Sequence, residues 1–387
     1  MQKPIYLDCH STTPMDERVL EAMLPYFRES FGNPASVGHL YGWEAESAVK
    51  LAREAIANVI NATPEEIVFT SGATEANNLA LKGVAEAYHQ QGRHIITVKT
   101  EHNAVLDPCN YLQSLGFEIT YLSVKSDGLI DLQELEQAIR TDTILVSVMA
   151  ANNEIGVLQP IAEIGQICRD RAPQQQVLFH TDAAQAIGKI PLDVSAMNID
   201  LMSLTAHKIY GAKGIGALYV RRRHPRVNLA PQLHGGGHER GMRSGTLYTP
   251  QIVGFAKALE IAIASQVEEQ QIALMLRQHL WKRLSELDQI ILNGHLTQRL
   301  AGNLNVSFTG LNGQALILAL QAIVAVSSGS ACSSAKTAPS HVLTALGHSH
   351  ELAYASIRFG IGRFNTLEEI EKVANHVIAS VRSLIKK

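Results

Sequence analysis

Along the first two thirds of the chain, short runs of consecutive apolar residues alternate with stretches in which apolar residues recur every three or four positions. Residues 67–70, 94–99, 117–122, 144–149, 177–180 and 201–204 are the strand-like runs, with β-branched side chains most frequent in 67–70, 94–99 and 144–149. They have the length expected of strands buried on both faces. Residues 74–88, 104–115, 132–139 and 161–169 carry the helical period instead. Strand–helix alternation from about residue 45 to 220 predicts an α/β fold, a mostly parallel sheet with helices on both faces. Beyond the glycine-rich residues 235–245, the periodicity predicts one long helix over about 252–287. Shorter strands (303–308 and 357–359) and a last helix over 367–385 follow. This second part reads as a smaller α+β domain, with the long helix bridging the two.

A length of 387 residues exceeds what one core usually supports, which agrees with two domains. A formal net charge of −3 gives no bulk electrostatic case for binding nucleic acid or an anionic membrane. The N-terminal residues lack an apolar signal segment. The most apolar stretch, residues 315–326, is interrupted by Gln321 and too short to span a bilayer, so a buried helix followed by a strand is expected there. Cys9, Cys109, Cys168 and Cys332 are scattered without a paired spacing, so neither a disulfide framework nor a metal site is expected. A reducing cytoplasm is the expected location.

In such sheets ligands bind beyond the carboxyl ends of the strands, so polar residues placed directly after strands carry the most weight. Residues 67–70 run into Ser71-Gly72-Ala73-Thr74-Glu75, a glycine turn opening a helix. Its free N–H groups and positive dipole end suit a phosphate, although an ordinary helix start reads the same way. His102 follows the strand at 94–99. Asn152 and Asn153 follow the strand at 144–149, where either could close a turn. Asp182 and Gln185 come after residues 177–180. Asp182 reads either as a helix cap or as a carboxylate that keeps a pyridine nitrogen protonated and so makes the ring an electron sink. Thr205, His207 and Lys208 come after residues 201–204. Burial penalises a lysine's charge, lowers its pKa and turns it into a usable Schiff-base nucleophile. Asp182 and Lys208, one structural unit apart at the same sheet edge, are together more specific than either alone. Cys332 stands in the run 327–335 of Ser, Gly and Ala, which predicts an exposed, mobile loop and a reactive thiol. The other three cysteines read as structural. Arg358 could grip a substrate carboxylate through two parallel hydrogen bonds, or form a structural ion pair.

Taken together, these segments resemble the cysteine desulfurases of the NifS/IscS type, fold-type I pyridoxal-phosphate enzymes of the class V aminotransferase family. The resemblance extends from Tyr6-Leu7-Asp8 to Phe364. It is most specific in Ser71 to Glu75, Thr100-Glu101-His102, Asn152 to Gly156, His207 to Gly211 and Gly235 to Thr246. Ser328-Gly329-Ser330-Ala331-Cys332 looks like the group with the longer cysteine loop. The resemblance implies a seven-stranded sheet in a large cofactor-binding domain, residues 14–258, and a small domain from residues 1–13 and 259–387 that carries the cysteine loop. It implies that Lys208 would hold pyridoxal 5′-phosphate as a Schiff base and that Asp182 would pair with its ring nitrogen. Gln185 and Asn153 would contact its phenolic oxygen, and His102 would stack on the ring and relay protons. Ala73, Thr74, Thr205 and His207 would hold the phosphate, joined by Thr246 from the second subunit of a homodimer. Arg358 and Asn153 would hold the carboxylate of L-cysteine. Cys332 would take the sulfur as a persulfide, leaving alanine, and pass it to an acceptor protein.

Departures from the family pattern at Ser11, Ala76, Thr205 and Ala212 spare this chemistry. The sequence ends at Lys387, where IscS-type relatives carry a further tail that engages an iron–sulfur scaffold. The acceptor is therefore left open between a scaffold and a thiolation pathway. Selenocysteine lyase, aminotransfer and a non-catalytic pyridoxal-phosphate protein are the rival readings, and Cys332 discriminates, since aminotransfer does not need it.

Overall fold

The computed structural model describes residues 3–170, 176–328 and 338–385. Its larger sheet is formed by β1 (Ile67–Thr70), β2 (His94–Val98), β3 (Glu118–Leu122), β4 (Thr143–Ser147), β5 (Leu178–Asp182), β6 (Leu201–Thr205) and β7 (Gly216–Val220). They lie in the order β1-β7-β6-β5-β4-β2-β3. Only β7 runs against the others, paired antiparallel to both β1 and β6. The sequence reading missed β7, because its run begins inside the glycine-punctuated stretch after Lys208 and carries no separate turn signal. The other six strands therefore end at one edge, and the polar residues that follow them converge there.

Successive side chains in these strands point to opposite faces. Phe69, Ile96, Val146, Phe179 and Met202 enter one core with helices α1 (Leu40–Val59) and α4 (Thr249–Ala264). Their neighbours Val68, Ile95, Leu145, Leu178 and Leu201 enter the opposite core with α2 (Ala73–Tyr88) and α3 (Asn103–Ser114). This explains why the strands read as continuous apolar runs and not as alternating ones. β3, at the edge, is the exception and is mostly only partly buried.

A separate core lies in the second half of the chain. The antiparallel strands β8 (Ile290–Leu292), β9 (Asn303–Phe308), β10 (Ser327–Ser328) and β11 (Ser356–Gly360) are ordered β10-β11-β9-β8. Helices α5 (Gln266–Leu284) and α6 (Leu367–Ile385) contribute Leu276, Leu280, Val373 and Val377 to the same core as Val306 and Phe359. Leu7, from the start of the chain, joins this core as well. The predicted single long helix is in fact two, α4 and α5, broken at Ser265. The Ser265 hydroxyl donates to Ile261 O at 2.8 Å and meets the Glu269 carboxylate, closing one helix and opening the next. Residues 315–326 do form a helix and then a strand, but Leu318 is 63% exposed, so this helix is only one-sidedly buried.

The glycine-rich segment has a packing role. Gly237 and Gly241 take left-handed φ values of 67° and 83°, and between them the chain turns Glu239 inward. Its carboxylate receives Arg53 at 2.6 and 2.8 Å and the backbone N–H of Phe69 at 2.7 Å. That contact pins β1, and hence the glycine turn after it. Replacing Glu239 by alanine strands a buried guanidinium and a strand N–H, and is expected to cost about 3–5 kcal/mol in urea-unfolding free energy.

Candidate active site

The strand ends surround a cavity of about 540 Å³. Ala73, Thr74, His102, Asn153, Asp182, Gln185, Thr205, His207 and Lys208 all line it. One end of the cavity is built for an anion. Gly72 precedes α2 at φ 147°, a backbone that an L side chain rarely adopts, and no side chain caps the helix behind it. Gly216 passes so close that an added Cβ would lie 2.7 Å from Gly72 Cα. The first N–H groups of α2 are thus held at the cavity by backbone packing. Beside them the Thr205 hydroxyl is buried without a partner. His207 contacts Thr12 Oγ1 at 3.1 Å. Burial, then the charge of Lys208, drive its pKa down to about 4, so at neutral pH it is an uncharged hydrogen-bonding group.

Asp182 and Lys208 stand at the ends of adjacent parallel strands. Both line the cavity, and among the described residues they form no direct ion pair, leaving the space between them open. Burial lowers the Lys208 pKa, with Asp182 opposing the shift and Arg358 reinforcing it. Asp182 is fixed by the N–H of Ala184 at 2.8 Å and by Asn77 Nδ2 at 2.7 Å. No helix follows Asp182; it ends a strand, and its carboxylate tethers the turn that comes next. Asn77 was missed by the sequence reading. It lies one helical turn behind the glycine motif, and only its α2 register, on the buried side, marks it out.

His102 caps α3, its Nδ1 accepting the Ala104 N–H at 3.0 Å. The neutral ring must then carry its proton on Nε2. Burial among protein, with Lys208 nearby, lowers its pKa, while its ring remains open to the cavity. The neighbouring Glu101 carboxyl, pushed well up by complete burial, takes the Met149 N–H at 2.7 Å and fastens the end of β4 to that of β2. The two asparagines divide the alternatives. Asn152 closes the turn, accepting from Glu154 and Ile155 and donating to Thr100 O. Asn153 lines the cavity, and its Oδ1 is buried without a partner.

Gln185 is held from behind. Its Nε2 donates to His10 O at 2.7 Å, while its Oε1 meets His10 Nδ1 and Lys189 Nζ, each at 3.2 Å. Arg358 reaches the site from β11 but does not line the cavity. It donates to Asn153 O at 2.8 Å, Asp8 Oδ1 at 2.7 Å and Ser327 Oγ at 2.8 Å, leaving Nε without a partner. The structural ion pair is thus present, with the Nε–H left without an acceptor. Thr246 is exposed and does not line the cavity of its own chain. Cys332 lies outside the described residues.

The donor set fits a phosphorylated pyridine: an uncapped helix start and an orphan hydroxyl at one end, a tethered carboxylate at another, and a buried lysine facing the space between. No group of three or more His, Cys, Asp or Glu side chains poised to hold a metal ion occurs among the described residues.

Residues 5–373 match the family model described as aminotransferase class-V, a pyridoxal-phosphate-dependent family. The chain is 56% identical over 385 residues to a "Cysteine desulfurase IscS" of Anaeromyxobacter, covering 99% of this chain and 94% of the relative. It is 55% identical over 384 residues to the protein of the same name from Neisseria meningitidis serogroup C / serotype 2a, again covering 99% and 94%. A solved "NIFS-LIKE PROTEIN" superposes with a TM-score of 0.91 at 39% identity, covering 98% of this chain and 100% of the other. A structure described as "SspA in complex with cysteine" gives 0.82 at 39% identity, covering 94% and 100%.

Asn77 offers a test of the site independent of the residues facing the cavity. Leucine at this position removes one of two donors to Asp182, a charge-assisted bond of about 1.5–3 kcal/mol. Fluorescence titration of the apo-protein with pyridoxal phosphate is expected to show affinity reduced by about tenfold or more.

Proposed function

The chain belongs to the aminotransferase class-V family, among its cysteine desulfurases, and from that premise we propose that it converts L-cysteine to L-alanine and passes the sulfur, as a persulfide on Cys332, to an acceptor protein. The observation that carries this reading is the placement of Asp182 and Lys208 at adjacent strand ends around one cavity, with the anion cradle of Gly72 to Thr74 and Thr205 at its end. Pyridoxal 5′-phosphate, when bound, supplies an electron sink next to the substrate Cα. Ala73, Thr74, Thr205 and His207 would hold its phosphate, Asp182 its ring nitrogen, and Asn153 and Gln185 its phenolic oxygen, with Lys208 as the point of covalent attachment.

The remaining work falls to this chain's own side chains. Arg358, through its free Nε–H, and Asn153, through its side-chain amide, orient the carboxylate of cysteine. Lys208, once free, takes the Cα proton on Nζ, a role that its burial-lowered pKa supports because the neutral amine is the base. His102, with its proton on Nε2, serves as the exchangeable acid at the open side. The Cys332 thiolate attacks the substrate sulfur: an S–S bond forms, the Cβ–S bond breaks, and its electron pair remains on carbon. Protonation of that carbon, and return of the Cα proton from Lys208 Nζ, give alanine, so cysteine plus enzyme thiol become alanine plus enzyme persulfide with no external oxidant or reductant.

Two separate cores support a division into a cofactor-binding domain, residues 14–258, and a smaller domain from 1–13 and 259–387. The exposure of Thr246 supports a homodimer in which it completes the partner's phosphate site. The acceptor is of the iron–sulfur or thiolation type. No helix among the described residues is long and apolar enough to cross a membrane.

Two variants test the assignment. Lys208→Ala is expected to abolish alanine formation and the covalent cofactor adduct trapped by borohydride. Cys332→Ser should retain the cofactor's absorbance but lose sulfide release and sulfur transfer. Turnover at the wild-type rate in either variant would overturn the corresponding step.

A further inference from the structure

A second cavity, of about 420 Å³, lies between the two cores, and among the described residues Lys208 is the one side chain that lines both this cavity and the catalytic one. Its charge is unbalanced. Lys189, Arg277 and Arg299 line it, and among the described residues none of the three has a carboxylate partner. Arg277 donates to Leu300 O at 3.0 Å, Arg299 to Ile155 O at 2.7 Å and to Asn293 O, and Lys189 to Gln185 Oε1 at 3.2 Å. The one acidic side chain in the lining, Glu269, is taken by Arg363 at 2.7 Å, and Arg363 is further neutralised by Asp16.

Two donors in the same wall also go unused. Arg299 is 5% exposed with Nε unpartnered, and Gln266 Nε2 is likewise without an acceptor. Uncompensated buried cations are costly, and burial accordingly pushes Lys189 down to about 7 and Arg299 to about 9. Elsewhere the wall is apolar, with Ile190, Ile209, Val267 and Leu300 among its residues.

We propose that this cavity between the cores binds a small aliphatic carboxylate, its anionic end against Arg277 and Arg299, with Lys189 adding positive charge elsewhere in the wall, and its hydrocarbon part against the apolar surface. A guanidinium fork matches a carboxylate in plane and spacing, and the apolar surface accounts for a hydrocarbon body in preference to a bare inorganic anion. Lys189 donates to Gln185, so the wall of this cavity is tied to a residue of the catalytic one. The site stands independently of the desulfurase reading.

The test is calorimetric titration of the holoenzyme with 4-methylpentanoate, using 4-methylpentanamide as the uncharged control. Saturable binding of the acid is expected, with the amide at least about tenfold weaker because it lacks the charge-assisted bonds. Arg277→Gln should weaken binding of the acid by about tenfold or more. Val267 is 70% exposed at the rim, so Val267→Trp should preserve folding, checked by thermal unfolding, and abolish binding by filling the space. Should Arg277→Gln not fold, Val267→Trp decides alone. Absence of binding, equal binding of acid and amide, or binding unaffected by Val267→Trp would overturn the proposal.

Discussion

Burial of the Lys208 ammonium, without a counter-ion in contact, is the constraint on which the site depends. A lysine in that position would ordinarily be excluded from a sheet edge or paired with a carboxylate. Here the nearest carboxylate, Asp182, is kept for another purpose by Asn77 and the Ala184 N–H. Asp182 opposes the loss of charge on Lys208 without abolishing it, and Arg358 adds to it. Parallel strands make the arrangement possible. β5 and β6 deliver Asp182 and Lys208 to one edge, while the single antiparallel strand β7 brings Gly216 against Gly72 and seats the anion cradle.

Much of this was legible in the sequence because the burial pattern and the chemistry lie on the same segments. An apolar run followed by Asp182, or by Thr205, His207 and Lys208, announces both a buried strand and what stands at its end. What was not legible involves contacts between distant segments. Asn77 is unremarkable in an amphipathic helix until the fold brings it 2.7 Å from Asp182. Glu239 sits among glycines that read as a loop, yet it closes a buried ion pair with Arg53, 186 residues away. The break at Ser265 was invisible to periodicity, because apolar spacing continues on either side and serine alone is a weak stop signal.

Arg358 shows how one side chain can join fold and chemistry. It lies on the smaller sheet, binds the chain start through Asp8, and grips the main chain of Asn153, which lines the catalytic cavity. A movement between the two cores must disturb that set of bonds. The position of Asn153 at the cavity and that of one core against the other are consequently not independent. The cavity between the cores, with its unneutralised cations, occupies the same junction.

The cysteines make the closing argument, by pKa. Burial pushes Cys9 up to about 11 and Cys109 to about 12, and drives Cys168 upward as well. At pH 7 a thiol of pKa about 11 is a thiolate in roughly one molecule in ten thousand, too rare to serve as the attacking nucleophile. All three are enclosed, Cys109 and Cys168 within the larger sheet's packing. Attack on a substrate sulfur requires a thiolate that can approach it, which burial denies to these three. Cys332, set in the sequence within a run of Ser, Gly and Ala, is therefore the thiol to which the proposed reaction assigns the attack.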